Sequence, residues 1–185
     1  MEQPLEFDRL LAEGLAASRE GRREAALALF AQAAQEDPSS GIPPFLAGSE
    51  HASAGQFDQA ELAFASAVLL APQFPLARYQ LGLLQFSSHR APLALLTWQP
   101  LFGLPQEDAL LHFVRGFAAL AQDAFDDTLQ HFRAGLACQP ANPALCADIL
   151  QLVEAVERLR SGQPADTDAP DAGHVLLSAY ARGLH

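Results

Sequence analysis

The chain has 185 residues, half of them hydrophobic and only 18% charged, with 22 acidic against 11 basic side chains and a formal net charge of −11. That length suits one well-buried domain or one modest array of stacked helices. An acidic surface of this kind repels a phosphate backbone or an anionic lipid headgroup, so no nucleic acid and no membrane partner is expected.

Ala, Leu and Phe dominate the apolar residues over Val and Ile, which favours helices over strands, and an all-α fold is expected. The N-terminus, Met1-Glu2-Gln3-Pro4, has none of the basic-then-apolar pattern of a secretory leader. No stretch approaches the roughly 18 apolar residues of a membrane span, so a cytoplasmic location is expected. Cys138 and Cys146 lack the spacing of a zinc knuckle or a redox motif and read as plain thiols.

From residue 7 onward the chain repeats. Gly14, Gly48, Gly82 and Gly116 recur at 34-residue intervals, and twelve residues after each stand Ala26, Ala60, Ala94 and Thr128. Sixteen residues after each glycine comes a large aromatic, Phe30, Phe64, Trp98 and Phe132, followed three later by Ala33, Ala67, Leu101 and Gly135. Pro38, Pro72 and Pro140 close three of the units, and Pro105 falls one position early in the third. Turn residues around Gly21 and Gly55 split the first two units into two amphipathic segments, so each unit reads as a helical hairpin. A small residue on the first helix, Gly48 for instance, facing a small one on the second, Ala60, lets the backbones approach, while Phe64 fills the space toward the next hairpin. One hairpin cannot bury its apolar face alone, so successive hairpins must stack.

These columns resemble the tetratricopeptide repeat family over residues 6–143. The resemblance implies a right-handed superhelical array of about four hairpins, residues 7–40, 41–74, 75–107 and 109–142. Three departures stand out: Glu13 and Arg115 at a usually aliphatic place, His89 and Asp123 where the turn usually has glycine, and Pro100 within the third unit's second helix. Unit three is expected to be irregular at Pro100.

Residues 144–160 have helical spacing, end in charge and read as a capping helix that completes a 5–160 array. Residues 161–173, rich in Pro, Gly and Asp, read as a flexible linker. Residues 174–185 return to a short amphipathic helix carrying Leu176, Leu177, Tyr180 and Leu184. It is too short to be stable alone in water and is expected to lie on an apolar surface of its own chain or of a neighbour, which would allow self-association.

No catalytic, cofactor or metal constellation emerges. The six histidines are scattered without an i, i+4 pair, and no phosphate-binding glycine loop is present. Glu107-Asp108 and Asp126-Asp127 stand at helix starts, where they complement the helix dipole. The chain is expected not to be an enzyme and to need no cofactor.

In the family the first helices of the hairpins line a concave groove. The common phase puts Asp8, Leu11, Ala12 and Leu15 there from unit one, and Ile42, Phe45, Leu46 and Ser49 from unit two. Unit three contributes Leu76, Tyr79, Gln80 and Leu83, and unit four Leu110, Phe113, Val114 and Phe117, with Phe86 and Leu120 farther along. Relatives that clamp acidic tails carry Lys, Arg and Asn at such positions, and this chain has none of them there. The peptide-binding residues expected are Phe45, Leu46, Tyr79, Leu83, Phe86, Phe113 and Phe117, holding a protein or peptide by an apolar helix or extended segment. The function implied is an adaptor or scaffold. The alternatives are a bacterial secretion-type chaperone for a hydrophobic client, or an oligomerisation or regulatory subunit whose groove is filled by its own C-terminal helix.

Overall fold

A computed structural model describes residues 3–140 and 142–161. Among them are nine α-helices, one short 3-10 helix and no strand. The helices are α1 (Gln3–Arg19), α2 (Arg23–Glu36), α3 (Ile42–Ser53), α4 (Phe57–Leu70), α5 (Pro75–Ser87), α6 (Ala91–Trp98), α7 (Ala109–Leu120), α8 (Phe125–Ala137) and α9 (Pro143–Arg160). The expected linker from residue 162 and the expected helix 174–185 lie outside the described residues. The chain divides into two compact units, with the boundary inside α5 between Arg78 and Tyr79.

In the first unit, α1 pairs with α2 and α3 with α4. The recurring glycines explain how the helices come so close. A methyl group added to Gly48 would sit 2.7 Å from Cδ1 of Phe64, and one added to Gly14 would sit 2.5 Å from Cε1 of Phe30, so each ring rests directly on the facing helix backbone. Ala17, Ala26, Ala52 and Ala60 are completely buried between the paired helices. Gly21 and Gly55 turn the chain between them at φ of 71° and 72°, a left-handed conformation open to glycine without a side-chain clash.

In the second unit the same device recurs with Gly82 against Trp98 and Gly116 against Phe132. Trp98 Nε1 also donates to the Tyr79 carbonyl at 3.0 Å, which satisfies the one polar atom of a fully buried indole. The helix expected to be irregular is so: α6 ends at Trp98, and Gln99–Gly103 continues as a 3-10 turn. Pro100 removes a donor and cannot sit inside an α-helix. Asp108 caps α7 by accepting from the Leu110 N–H at 2.9 Å, and Asp126 and Asp127 occupy the first turn of α8.

The last described helix, α9, packs on α8 through an apolar stripe of Leu145, Ile149, Leu152, Val153 and Val156. Arg133 pairs with Glu157 and Arg160 with Asp126 along that seam. Continuing the 34-residue phase, Leu150 stands in the glycine position of α9 and is half exposed. Its bulk leaves no seat for an aromatic ring from a following helix.

Candidate peptide-binding face

In the first unit, α1 and α3 bring a set of partly exposed apolar side chains together. Leu11 and Leu15 of α1 and Leu46 of α3 pack from the outside against the buried group Ala17, Ala26 and Phe30. The Ser18 hydroxyl donates to the Glu50 carboxylate, tying the two helices across that face. Phe45 stacks obliquely on Phe64 and Phe74, with ring centroids 5.9 and 4.8 Å away, and keeps part of its surface open. Ile42, one turn before it, is 43% exposed. Asp8 is exposed one turn before Leu11 and Ala12 and makes no ion pair among the described residues. The result is an apolar face with an unpaired carboxylate at its edge.

The expected binding residues divide between surface and core. Phe45 and Leu46 lie on the face just described and are half-buried. Tyr79, Leu83, Phe113 and Phe117 present essentially no surface and belong to the core of the second unit, which corrects the expectation that they line a groove. Phe117 lies among Trp98, Phe132 and Phe86, with centroid distances of 5.2, 5.1 and 5.1 Å. Phe113 presses on Gly135, whose missing side chain makes the room for it. Phe86 is half-buried and takes part in the same ring cluster, 5.9 Å from Trp98. Burial, and then the nearby Asp148 carboxylate, pushes the Tyr79 phenol well above its ordinary range, so it stays neutral. Its hydroxyl has no hydrogen-bond partner among the described residues.

One juxtaposition was not visible in the sequence. His112 of α7 and His131 of α8, nineteen residues apart, face each other across the hairpin at 6.3 Å between ring centroids. His112 Nε2 donates to the Gln106 carbonyl at 2.8 Å. Burial, then Arg115 and His112, holds His131 below the usual imidazole range. The signal that could have found the pair is the hairpin register itself, which places a residue late in the first turn of α7 opposite the middle of α8. No group of three metal-ligating side chains occurs among the described residues, nor is any described helix long and apolar enough to cross a membrane.

No protein-family model and no curated protein matches the sequence. Solved structures do. A chain from the hetero-tetramer Cut9–Hcn1 of the APC/C aligns over 95% of this chain at 22% identity and a TM-score of 0.70, the match spanning 32% of its own length. YrrB, described as a TPR protein with an unusual peptide-binding site, aligns over 92% of this chain and 82% of its own at 19% identity and a TM-score of 0.56. MamA from Desulfovibrio magneticus RS-1, residues 41 to the end, aligns over 86% and 97% at 16% identity and a TM-score of 0.59. With the glycine-on-aromatic hairpins and the left-handed turns between paired helices, these likenesses establish that the chain has the all-α, tetratricopeptide-type helical-repeat fold.

Proposed function

We propose that this chain is a non-enzymatic protein-interaction module, an adaptor or scaffold, whose α1–α3 face holds the apolar side of a helix or an extended hydrophobic segment. The observation that carries the reading is the cluster of Leu11, Leu15, Ile42, Phe45 and Leu46, apolar side chains that remain partly open to solvent on the first helices of two hairpins. Single exposed apolar residues are ordinary on any protein, but several partly open apolar side chains, an aromatic among them, on the first helices of two neighbouring hairpins have the composition of a docking surface. The absence of Lys, Arg and Asn from these positions argues against a carboxylate clamp and for apolar recognition. A likeness to YrrB, itself described with a peptide-binding site, agrees with the class of function.

The test uses peptides selected from a random displayed library against the intact protein. The selected sequences are expected to be apolar at helical spacing and to lose about tenfold in affinity, roughly 1.4 kcal/mol, on Ile42→Glu. Ile42 is the first residue of α3 and exposed, where a carboxylate is favourable to the helix, so the fold should survive. Phe45→Ala serves as the second variant, with helicity by circular dichroism as the control. Polar or acidic selected peptides, or unchanged affinity in both variants, would overturn the reading.

A further inference from the structure

We propose that His112 and His131 are a pH-sensitive latch in the second unit, letting α7 and α8 close on each other while both imidazoles are neutral and loosening that hairpin when they take up protons in mildly acidic solution. The latch is independent of the α1–α3 face and uses only groups of the second unit. Three features carry it: how the His112 ring is held, which charges surround the pair, and what is packed beside it.

The Gln106 carbonyl can only accept, so His112 Nε2 carries the hydrogen of their 2.8 Å contact. A second proton on this ring must go to Nδ1, which is buried and has no hydrogen-bond partner among the described residues. There it becomes a buried donor without an acceptor, at a direct cost to the closed hairpin. Gln106 fixes the surroundings as well: its side-chain oxygen accepts from Arg115 Nη1 at 3.3 Å, and Cys138 Sγ, just past the end of α8, lies 3.9 Å from its carbonyl. Turning the ring to bring Nδ1 outward gives up the Gln106 contact.

The His131 ring lies 6.3 Å away, inside the screening length of about 8 Å at 0.15 M salt, so two imidazolium charges here repel with little screening. Burial, then Arg115 and His112, holds His131 below the usual imidazole range, and the opposing pull of Asp127, in the first turn of α8, is the smallest of these four influences. Of the other nearby carboxylates, Asp108 is engaged as the cap of α7 and Glu107 is exposed. From α9, Glu157 and Arg160 pair with Arg133 and Asp126. The helix α6 and the 3-10 turn carry no titratable side chain, and α5 brings Tyr79 against Phe113. An imidazole held below its ordinary range in the folded chain binds its proton more readily in the unfolded one. Its contribution to stability is complete above about pH 6.5 and is lost as the pH falls from there through the folded-state value.

The hairpin's own rings are the neighbours of the pair. Phe113, next in sequence to His112, rests on Gly135 of α8, and Phe132, next to His131, rests on Gly116 of α7. Both rings are completely buried, so loosening α7 from α8 uncovers aromatic surface that is hidden at neutral pH.

The experiment is hydrogen exchange read by mass spectrometry on the full chain at about pH 7.5 and about pH 5.5, with rates corrected for the intrinsic pH dependence of amide exchange. The α1–α2 hairpin, whose helices contain no histidine, is the internal reference. Between the two pH values the protection of α7–α8 amides is expected to fall about fivefold relative to that reference. His131→Gln, a neutral replacement at a partly exposed position, is expected to remove most of that loss, and His112→Gln combined with His131→Gln all of it. In His112→Gln the His131 ring, followed by NMR, is expected to titrate closer to the usual imidazole range. An unchanged ratio of protection in the parent chain would overturn the proposal. So would a loss that persists undiminished in His131→Gln, which would assign the acid response to carboxylates. If variants at His112 do not fold, His131→Gln decides alone, because each protein is compared with itself at two pH values.

Discussion

Four residues at one place in the repeat hold the same left-handed backbone: Gly21, Gly55, His89 and Asp123, with φ of 71°, 72°, 60° and 56°. The geometry is set by the hairpin, because the chain must reverse in two or three residues between packed helices, and the residue type adapts to it. A Cβ in this region costs roughly 1–2 kcal/mol, less for Asp, whose short polar side chain tolerates it. Gly55→Ala is therefore expected to lower stability by about 1 kcal/mol although nothing lies within 4 Å of its added methyl, since the penalty is conformational and not steric. Asp123→Gly is expected to move the other way, by a few tenths of a kcal/mol. Urea unfolding followed by circular dichroism measures both, and a stabilised Gly55→Ala would mean the turn relaxes freely. The departures from the family's turn glycine in the third and fourth hairpins thus leave the backbone unchanged and alter only its cost.

At the scale of the helix, the same column of the repeat meets different fates. Phe45 in α3, Tyr79 in α5 and Phe113 in α7 are equivalent by the 34-residue phase, yet Phe45 keeps exposed surface while Tyr79 and Phe113 have none. For Phe113 the cause is the residue opposite: Gly135 in α8 stands where α4 has Ala67, and the vacated volume lets the ring sink against the helix backbone. Phe117→Glu is accordingly expected to unfold the second unit, since it puts a carboxylate among Phe86, Trp98 and Phe132 with no partner, at a cost of several kcal/mol. Ile42→Glu, the same chemistry at an open site, is expected to keep full helicity. Near-parental melting of Phe117→Glu would place that ring at the surface. The same contrast divides what residue spacing makes legible from what it hides. The 34-residue columns made the pairing of helices into hairpins legible from spacing, but the spacing reading set glycine against alanine and sent the aromatic toward the next hairpin, whereas each ring rests on the glycine of its own hairpin. Burial of an aromatic on a first helix depends on what stands across from it, one helix away in space and about twenty residues away in sequence. Gly135 was visible as a member of the alanine column, but its consequence for Phe113 required the register of α7 on α8. The same is true of His112 and His131.

For the whole molecule, acid-rich composition outweighs the ion pairs that the surface makes. The chain carries 22 acidic and 11 basic side chains. The described pairs, Arg9 with Glu6 and Glu13, Arg22 with Glu20, Arg133 with Glu157 and Arg160 with Asp126, all join side chains at least 42% exposed, where such contacts contribute little. The surplus of carboxylates repels itself more strongly in the compact state than in the expanded one, because folding brings like charges closer. Screening reaches about 30 Å at 0.01 M salt and shortens to about 8 Å at 0.15 M, so simple salt removes this repulsion faster than it removes contacts between touching groups. Raising sodium chloride from about 0.01 M to about 0.3 M at pH 7.5 is therefore expected to raise the melting midpoint by a few degrees, the shift that about 1 kcal/mol produces in a chain of this size. Acid supplies the control. Near the isoelectric point, close to pH 4.8, protonated carboxylates bring the net charge toward zero and the salt increment is expected to vanish. A midpoint that falls with salt at pH 7.5 would mean that the surface pairs dominate after all. A rise of equal size at both pH values would assign the effect to exclusion of salt from the protein surface and away from charge.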